Sequence, residues 1–312
     1  MFKRMVALVV SISLILAIPV WAQEDTDPVA QAIEYLKTTQ NTDGGFSNGY
    51  APESDLTATA DAVIAIALAG HDLEAFSIDE TASPLAYLAA QVDDGAAQTT
   101  GQIAKVLIAV IAAGEDSEDF AAHNLIDDLL ATQSEGGMFG YGAFEHCLAL
   151  IALQNAGVDL PEGAVETLAD AQAEDGGWGF MASEASDTNT TGLCLQALAL
   201  ADAPETVEAA FAYLAAIQNE DGGWPYQNPS EFGTDSDTNS TALVVQALIA
   251  NGDDLSEWNN PQDWLVSMQN ESGSFSYQAA MPGDNIVATL AVIPALAGMP
   301  LNAWALMPED TE

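Results

Sequence analysis

The stretch QAEDGGWGF at residues 172–180 decides how this chain is read. It returns as QNEDGGWPY at 218–226, and in looser form as QNTDGGFSNGY at 40–50, QSEGGMFGY at 133–141 and QNESGSFSY at 269–277. QVDDG at 91–95 is a worn copy without its aromatic. The copies recur about every 40–50 residues, a period at which each repeat is one supersecondary unit. Asp-Gly-Gly breaks a helix, because Gly accepts the left-handed conformations that end one. The phrase is therefore a turn.

An amphipathic segment precedes each turn and a more apolar one follows it. The first kind is predicted at 28–40, 84–91, 119–133, 162–172, 205–218 and 261–269. The second is predicted at 55–68, 98–113, 143–156, 187–200, 237–250 and 284–296, with Pro294 expected to kink or end the last. The second kind is apolar nearly all round, as in IAKVLIAVIAAG and ALVVQALIANG. A helix apolar on every side is buried on every side. Six such helices ringed by six half-exposed ones predict an all-α, closed (α/α)6 toroid over residues 27–300. The alternative, an open solenoid, would leave one side of each inner helix wet. Residues 301–312 read as a short acidic tail.

The first residues read as an export signal. Lys3 and Arg4 lead an apolar run over 5–20, and Val20-Trp21-Ala22 suits cleavage before Gln23. An uncleaved anchor is the alternative. No later stretch is long and apolar enough to span a bilayer, so the mature chain is expected outside the cell or in a periplasm. The formal net charge is −43, and after residue 22 the only cations are Lys37 and Lys105. That excludes nucleic acid and anionic membrane surfaces as partners, since both demand cationic contacts. The surplus speaks first to solubility.

Cys147 and Cys194 each sit in an apolar helix. Aligned by the helix ends they are about two positions out of register, which points them to different faces. Buried free thiols are expected, with a disulfide the alternative open to an exported chain.

QxxDGGW followed by an apolar helix resembles the repeat of squalene cyclases and protein prenyltransferase β-subunits. The strongest matches are Gln172 with Trp178 and Gln218 with Trp224. The resemblance covers nearly the whole chain after residue 22. It implies an α/α toroid in which these residues brace helix ends and do no chemistry.

The inner helices begin at one end of the ring, so their N-termini share a mouth. Asp55, Asp187 and Asp237 fall at equivalent positions, with Thr59, Thr191 and Thr241 four residues on. Helix capping explains these residue types. The alternative is a polar rim for a ligand or a divalent cation at Asp55, Asp187 and Asp237. Class II terpene cyclases carry DxDDTA here, and the resemblance makes the middle Asp the proton donor. This chain has Asn189 and Asn239 at that position, followed by Thr190 and Ser240. An amide and a hydroxyl cannot protonate an alkene. Prenyltransferases need zinc held by Asp, Cys and His; His146 and Cys147 lie at the mouth of an inner helix without an Asp-x-Cys motif.

Other toroids compare less well. GGWPYQNP at 222–229 looks like a phrase of pectate lyases, which need a basic catalytic residue. The GCGEQ of thioester proteins is absent. ATLAVIPALAGMPL at 288–301 resembles the end of the toroid in cobalamin carriers, which clasp a corrinoid with a second domain not found here.

These readings favour a non-catalytic exported toroid that binds a small molecule or a protein at the ring mouth. The small molecule would be apolar, isoprenoid-like or a corrinoid. The expected contacts are Asp187, Asn189, Asp237, Asn239, Tyr141, His146, Trp224 and Tyr226. An enzyme of cyclase or prenyltransferase type with a non-standard site is the alternative, with Asp187 and Asp237 as its acids, and a scaffold with a filled ring is the third reading.

Overall fold

A computed structural model describes residues 27–79, 81–181 and 183–307. The export signal expected at 1–22 lies outside the described residues. Six helix pairs follow the repeats. They are α1 (Pro28–Thr39) with α2 (Leu56–Leu68), α3 (Pro84–Asp93) with α4 (Thr100–Ala112), and α5 (Leu125–Leu130) with α6 (Ala143–Asn155). Then come α7 (Ala164–Asp170) with α8 (Thr188–Leu198), α9 (Pro204–Ile217) with α10 (Thr238–Ala250), and α11 (Pro261–Ser267) with α12 (Ile286–Ala297). A last short helix, α13, spans Ala303–Leu306.

The even-numbered helices pack side by side in the order α2, α4, α6, α8, α10, α12, and α12 packs back on α2. The ring is closed. The odd-numbered helices α1 to α11 lie outside it, each against an inner neighbour, and α1 covers the seam on α12. The inner helices are buried almost throughout; Ala60, Ala62, Val63, Ala65 and Ile66 of α2 are all shut from solvent.

The repeated phrase is the clasp between units. The Gln172 side-chain amide donates to the Gly176 carbonyl of its own turn and to the Thr206 carbonyl of the next unit, at 2.7 and 2.9 Å. Gln218 does the same to Gly222 and Trp258, and Gln40 to Gly44 and Phe76. Gln269 carries the pattern across the seam to Pro28 at 2.8 Å, so the last repeat grips the first. Each clasp satisfies carbonyls that a turn leaves open. Gly176 sits at φ 91°, and a Cβ there would collide with the Ala209 carbonyl, so the turn accepts only glycine.

Several expectations need correction. The outer helices α5 and α7 are shorter than the predicted 119–133 and 162–172. Ala121 and Ala122 adopt positive φ in a tight turn before α5, and Gly163 is left-handed before α7. Pro294 does not end α12, which runs on to Ala297 and stops at left-handed Gly298. Residues 301–306 are not a tail. Leu301 donates its backbone N–H to Gln196 Oε1 at 2.9 Å, and its carbonyl accepts from Asn155 Nδ2 at 2.8 Å. Asn302 is fully buried and donates to the Gln196 carbonyl at 2.8 Å. This segment lies across α6 and α8 at the end of the ring opposite the mouth; residues 308–312 lie outside the described residues.

The expectation of free thiols is also corrected: Cys147 and Cys194 form a disulfide between α6 and α8. The register offset is real, but its meaning is the reverse. Neighbouring parallel helices in a ring face each other with opposite flanks. Counted from the axis-facing residues Leu148 and Leu193, Cys147 is one step before and Cys194 one step after, so roughly 100° to either side at 3.6 residues per turn. Pointing to different faces is what lets them meet.

Candidate functional site

Residues spaced i, i+4 and i+7 on the inner helices face the ring axis, with all three levels present on α2, α10 and α12. Around a chamber of about 370 Å³ the upper level supplies Thr57, Phe144, Asn189, Asn239 and Val287. The middle level supplies Asp61, Lys105, Leu148, Leu193, Leu243 and Ala291. The lower level supplies Ile64, Gln246 and Pro294, and Leu301 from the returning C-terminal segment closes the floor. Tyr50 and Asn48, on the loop before α2, border the mouth.

The wall is therefore apolar on α6, α8, α10 and α12, with polar groups at set places. Asp61 and Lys105 face each other across α2 and α4, joined at 2.6 Å. Neither was read from the sequence as a chamber residue; the signal was there, since both fall six residues after the N-cap of an otherwise apolar helix. The Oδ1 atoms of Asn189 and Asn239 and the Oε1 of Gln246 are buried without a protein partner. Gln246 is 2% exposed.

The other expected contacts are elsewhere. Asp187 and Asp237 are buried caps behind the wall. Asp187 Oδ1 accepts from the Thr190 N–H at 2.7 Å and Oδ2 from its hydroxyl at 2.9 Å; Asp237 takes the same pair from Ser240, both at 2.8 Å. Asp55 caps α2 through Ala58 N–H and Thr57 Oγ1. The proposed cation site is thus replaced by three separate caps. Among the described residues no three His, Cys, Asp or Glu gather as a metal-holding group.

Thr59, Thr191 and Thr241 are not rim groups either. Each hydroxyl accepts the backbone N–H of the turn aromatic: Phe46, Trp178 and Trp224, at 2.9, 3.0 and 2.9 Å. His146 is the third unit's version of this Thr. Its Nδ1 accepts from Phe139 N–H at 3.0 Å and its Nε2 pairs with the Ala164 carbonyl at 2.9 Å. That geometry requires a neutral ring, and burial pushes its pKa down in the same sense. His146 is a brace, not a ligand contact. Trp224 is fully buried and donates Nε1–H to Leu214, as Trp178 does to Leu168, so both are structural. Tyr141 is 80% exposed and outside the chamber. Tyr226 is also outside the chamber lining, its hydroxyl toward the Asp187 carboxyl; burial and that carboxylate push its pKa up to about 12.

Burial pushes the Asp237 pKa up to about 6, against the hydrogen bonds from Ser240 that favour the anion. The folded chain then holds a proton that the unfolded chain releases near pH 3.8. Stability from this group is highest in acid and falls as pH rises from about 4 to about 6. Asp237→Asn, which keeps a capping oxygen, flattens that slope; urea unfolding at pH 4.5 and pH 7 measures it. An unchanged slope in the variant would refute the assignment.

A family comparison fits this geometry. The model of the prenyltransferase α/α-toroid domain matches residues 3–210 and 179–295. The chain belongs to the prenyltransferase α/α-toroid family. Solved toroids share the fold at low identity. A protein from Actinoplanes is 18% identical with a TM-score of 0.65, over 87% of this chain and 98% of that one. A variant of the type II terpene cyclase MstE from Scytonema, in complex with geranylgeranyl dihydroxybenzoate, is 15% identical with a TM-score of 0.62, over 90% and 97%. A glycosidase is 15% identical with a TM-score of 0.58, over 88% and 100%. No curated protein matches the chain. The axis of this toroid is lined by amides at the upper level, an ion pair at the middle, and Leu301 of its own C-terminal segment at the lower end.

Proposed function

We propose that this toroid is an exported, non-catalytic binding protein whose ring holds one compact, mostly apolar ligand of isoprenoid type. The observation that carries the reading is the chamber itself. Its roughly 370 Å³ falls in the range of about 300–1,000 Å³ typical of ligand pockets, and its wall is Leu, Ile and Val with polar groups at few places. The neighbouring terpene cyclase in complex with a geranylgeranyl compound supports the ligand class.

The chemistry of the wall favours binding over turnover. Where the cyclase pattern has its acid, Asn189 and Asn239 face the chamber. Asp61, the one carboxylate of the wall among the described residues, is tied to Lys105. That pairing also leaves no unneutralised cation for a diphosphate. Export is supported by the Lys3–Arg4 start with its apolar run, and by a disulfide, which persists in oxidising compartments.

The test is mass spectrometry of what co-purifies with the exported chain, beside a Leu243→Trp variant that fills the middle of the ring. An isoprenoid bound to the native protein and reduced by about tenfold or more in the variant is expected from blocking an enclosed apolar pocket. Equal retention in both proteins would place the ligand elsewhere. An empty native ring, with a protein partner at the mouth, would favour the docking reading.

A further inference from the structure

We propose that a groove beside the chamber mouth receives a cationic, ammonium-type head group of the same ligand, an inference that rests on the chamber reading above. The groove has a volume of about 410 Å³ and is bordered by Tyr35, Tyr50, Tyr277, Asn48, Asn239 and Asp284. Asn48, Tyr50, Asn239 and Val287 also border the chamber, so the two spaces adjoin. A single molecule with an apolar body in the ring extends its other end into this groove.

Three features of the groove select that end. The first is aromatic: three tyrosines share one small space. Tyr50 is 96% exposed, so no packing need of the fold keeps a ring there. Aromatic faces attract ammonium groups, most strongly where several share one site. The second is charge. Asp284 Oδ1 accepts from the hydroxyls of Ser272 and Ser274, both at 2.6 Å, which favours its anion. Asp237 stands behind Tyr277 and acts on its hydroxyl. Among the described residues no Lys or Arg borders the groove, and Lys37 is paired with Glu34 at 2.7 Å. With a net charge of −43 the chain draws cations and repels phosphate or carboxylate head groups. The third is the junction. Asn239 belongs to both spaces, and its buried Oδ1 lacks a protein partner. Its side chain stands where head meets body.

The experiment is calorimetric titration of the exported chain with four monomeric probes at physiological salt: octyltrimethylammonium, 1-octanol, octyl glucoside and octyl phosphate. Octyltrimethylammonium is expected to bind about tenfold tighter than 1-octanol, the scale of a desolvated cation–π contact. Tyr50→Ala is expected to weaken it roughly threefold to thirtyfold and to leave 1-octanol within about twofold. That variant changes no charge, so general attraction to an acidic protein cannot produce the difference. Equal binding of octyltrimethylammonium and 1-octanol, or a Tyr50→Ala variant without effect, overturns the head-group site and leaves the chamber standing. Tightest binding of octyl glucoside overturns it in favour of a neutral sugar head. Failure of all four probes to bind removes both the groove and the chamber readings.

Discussion

Trp224→Ala lowers the stability of this toroid by about 3–5 kcal/mol, the scale of truncating a buried Trp. The indole is fully buried at the turn between α9 and α10 and lies against Trp258, with ring centroids 6.0 Å apart. Its Nε1–H satisfies the Leu214 carbonyl near the end of α9 at 2.8 Å. Truncation opens a void and orphans that carbonyl at once. Trp224→Phe refills much of the void and leaves the carbonyl open, so it costs less, about 1–3 kcal/mol. Urea unfolding of both variants checks the order. Tyr141→Ala is the control, since an exposed ring costs within about 0.5 kcal/mol. A Trp224→Ala loss no larger than the control's would mean the turn aromatics do not brace the repeats.

Opening the Cys147–Cys194 bridge is the second large effect. The bridge joins residues 47 apart, and chain-entropy reasoning for a loop of that size gives about 4 kcal/mol. Native unfolding with and without reductant, and a Cys147→Ala, Cys194→Ala double variant, measure it. Both sulfurs are buried between inner helices that pack together without them. The variant therefore folds to the same ring with a lower midpoint. A reductant-insensitive midpoint would show that the bridge adds nothing beyond the packing of α6 on α8.

The repeat phrase made the architecture legible. Asp-Gly-Gly-Trp stops one helix, and the all-apolar segment after it must lie inside, so ring and order follow from local chemistry. The capping role of Asp55, Asp187 and Asp237 was equally open to reading, because capping is a property of a residue and its next three neighbours. The chamber was legible only in part. Asn189 and Asn239 were named as contacts and do face it. His146 and Trp224 were named too, yet both point into the seams between helices. A side chain's angular position about its helix separates these cases, and sequence alignment by helix ends blurs it. Asp61 was not named, and Lys105 was counted only as a cation, because each looked like a stray charge in a greasy segment. Their partnership spans two repeats and exists only once α2 and α4 lie side by side. The cysteines were misread for the same reason: two rods facing one another present mirror-related sides.

The returning segment that binds Gln196 and Asn155 has a consequence for traffic. With Leu301 under the ring, the toroid is a cup and not a pipe. If the ring holds the proposed ligand, that ligand would leave by the mouth through which it entered, past Tyr50, Asn189 and Asn239. Residence time is then governed at the lip, so a carrier of this build would unload only to an acceptor that meets that lip.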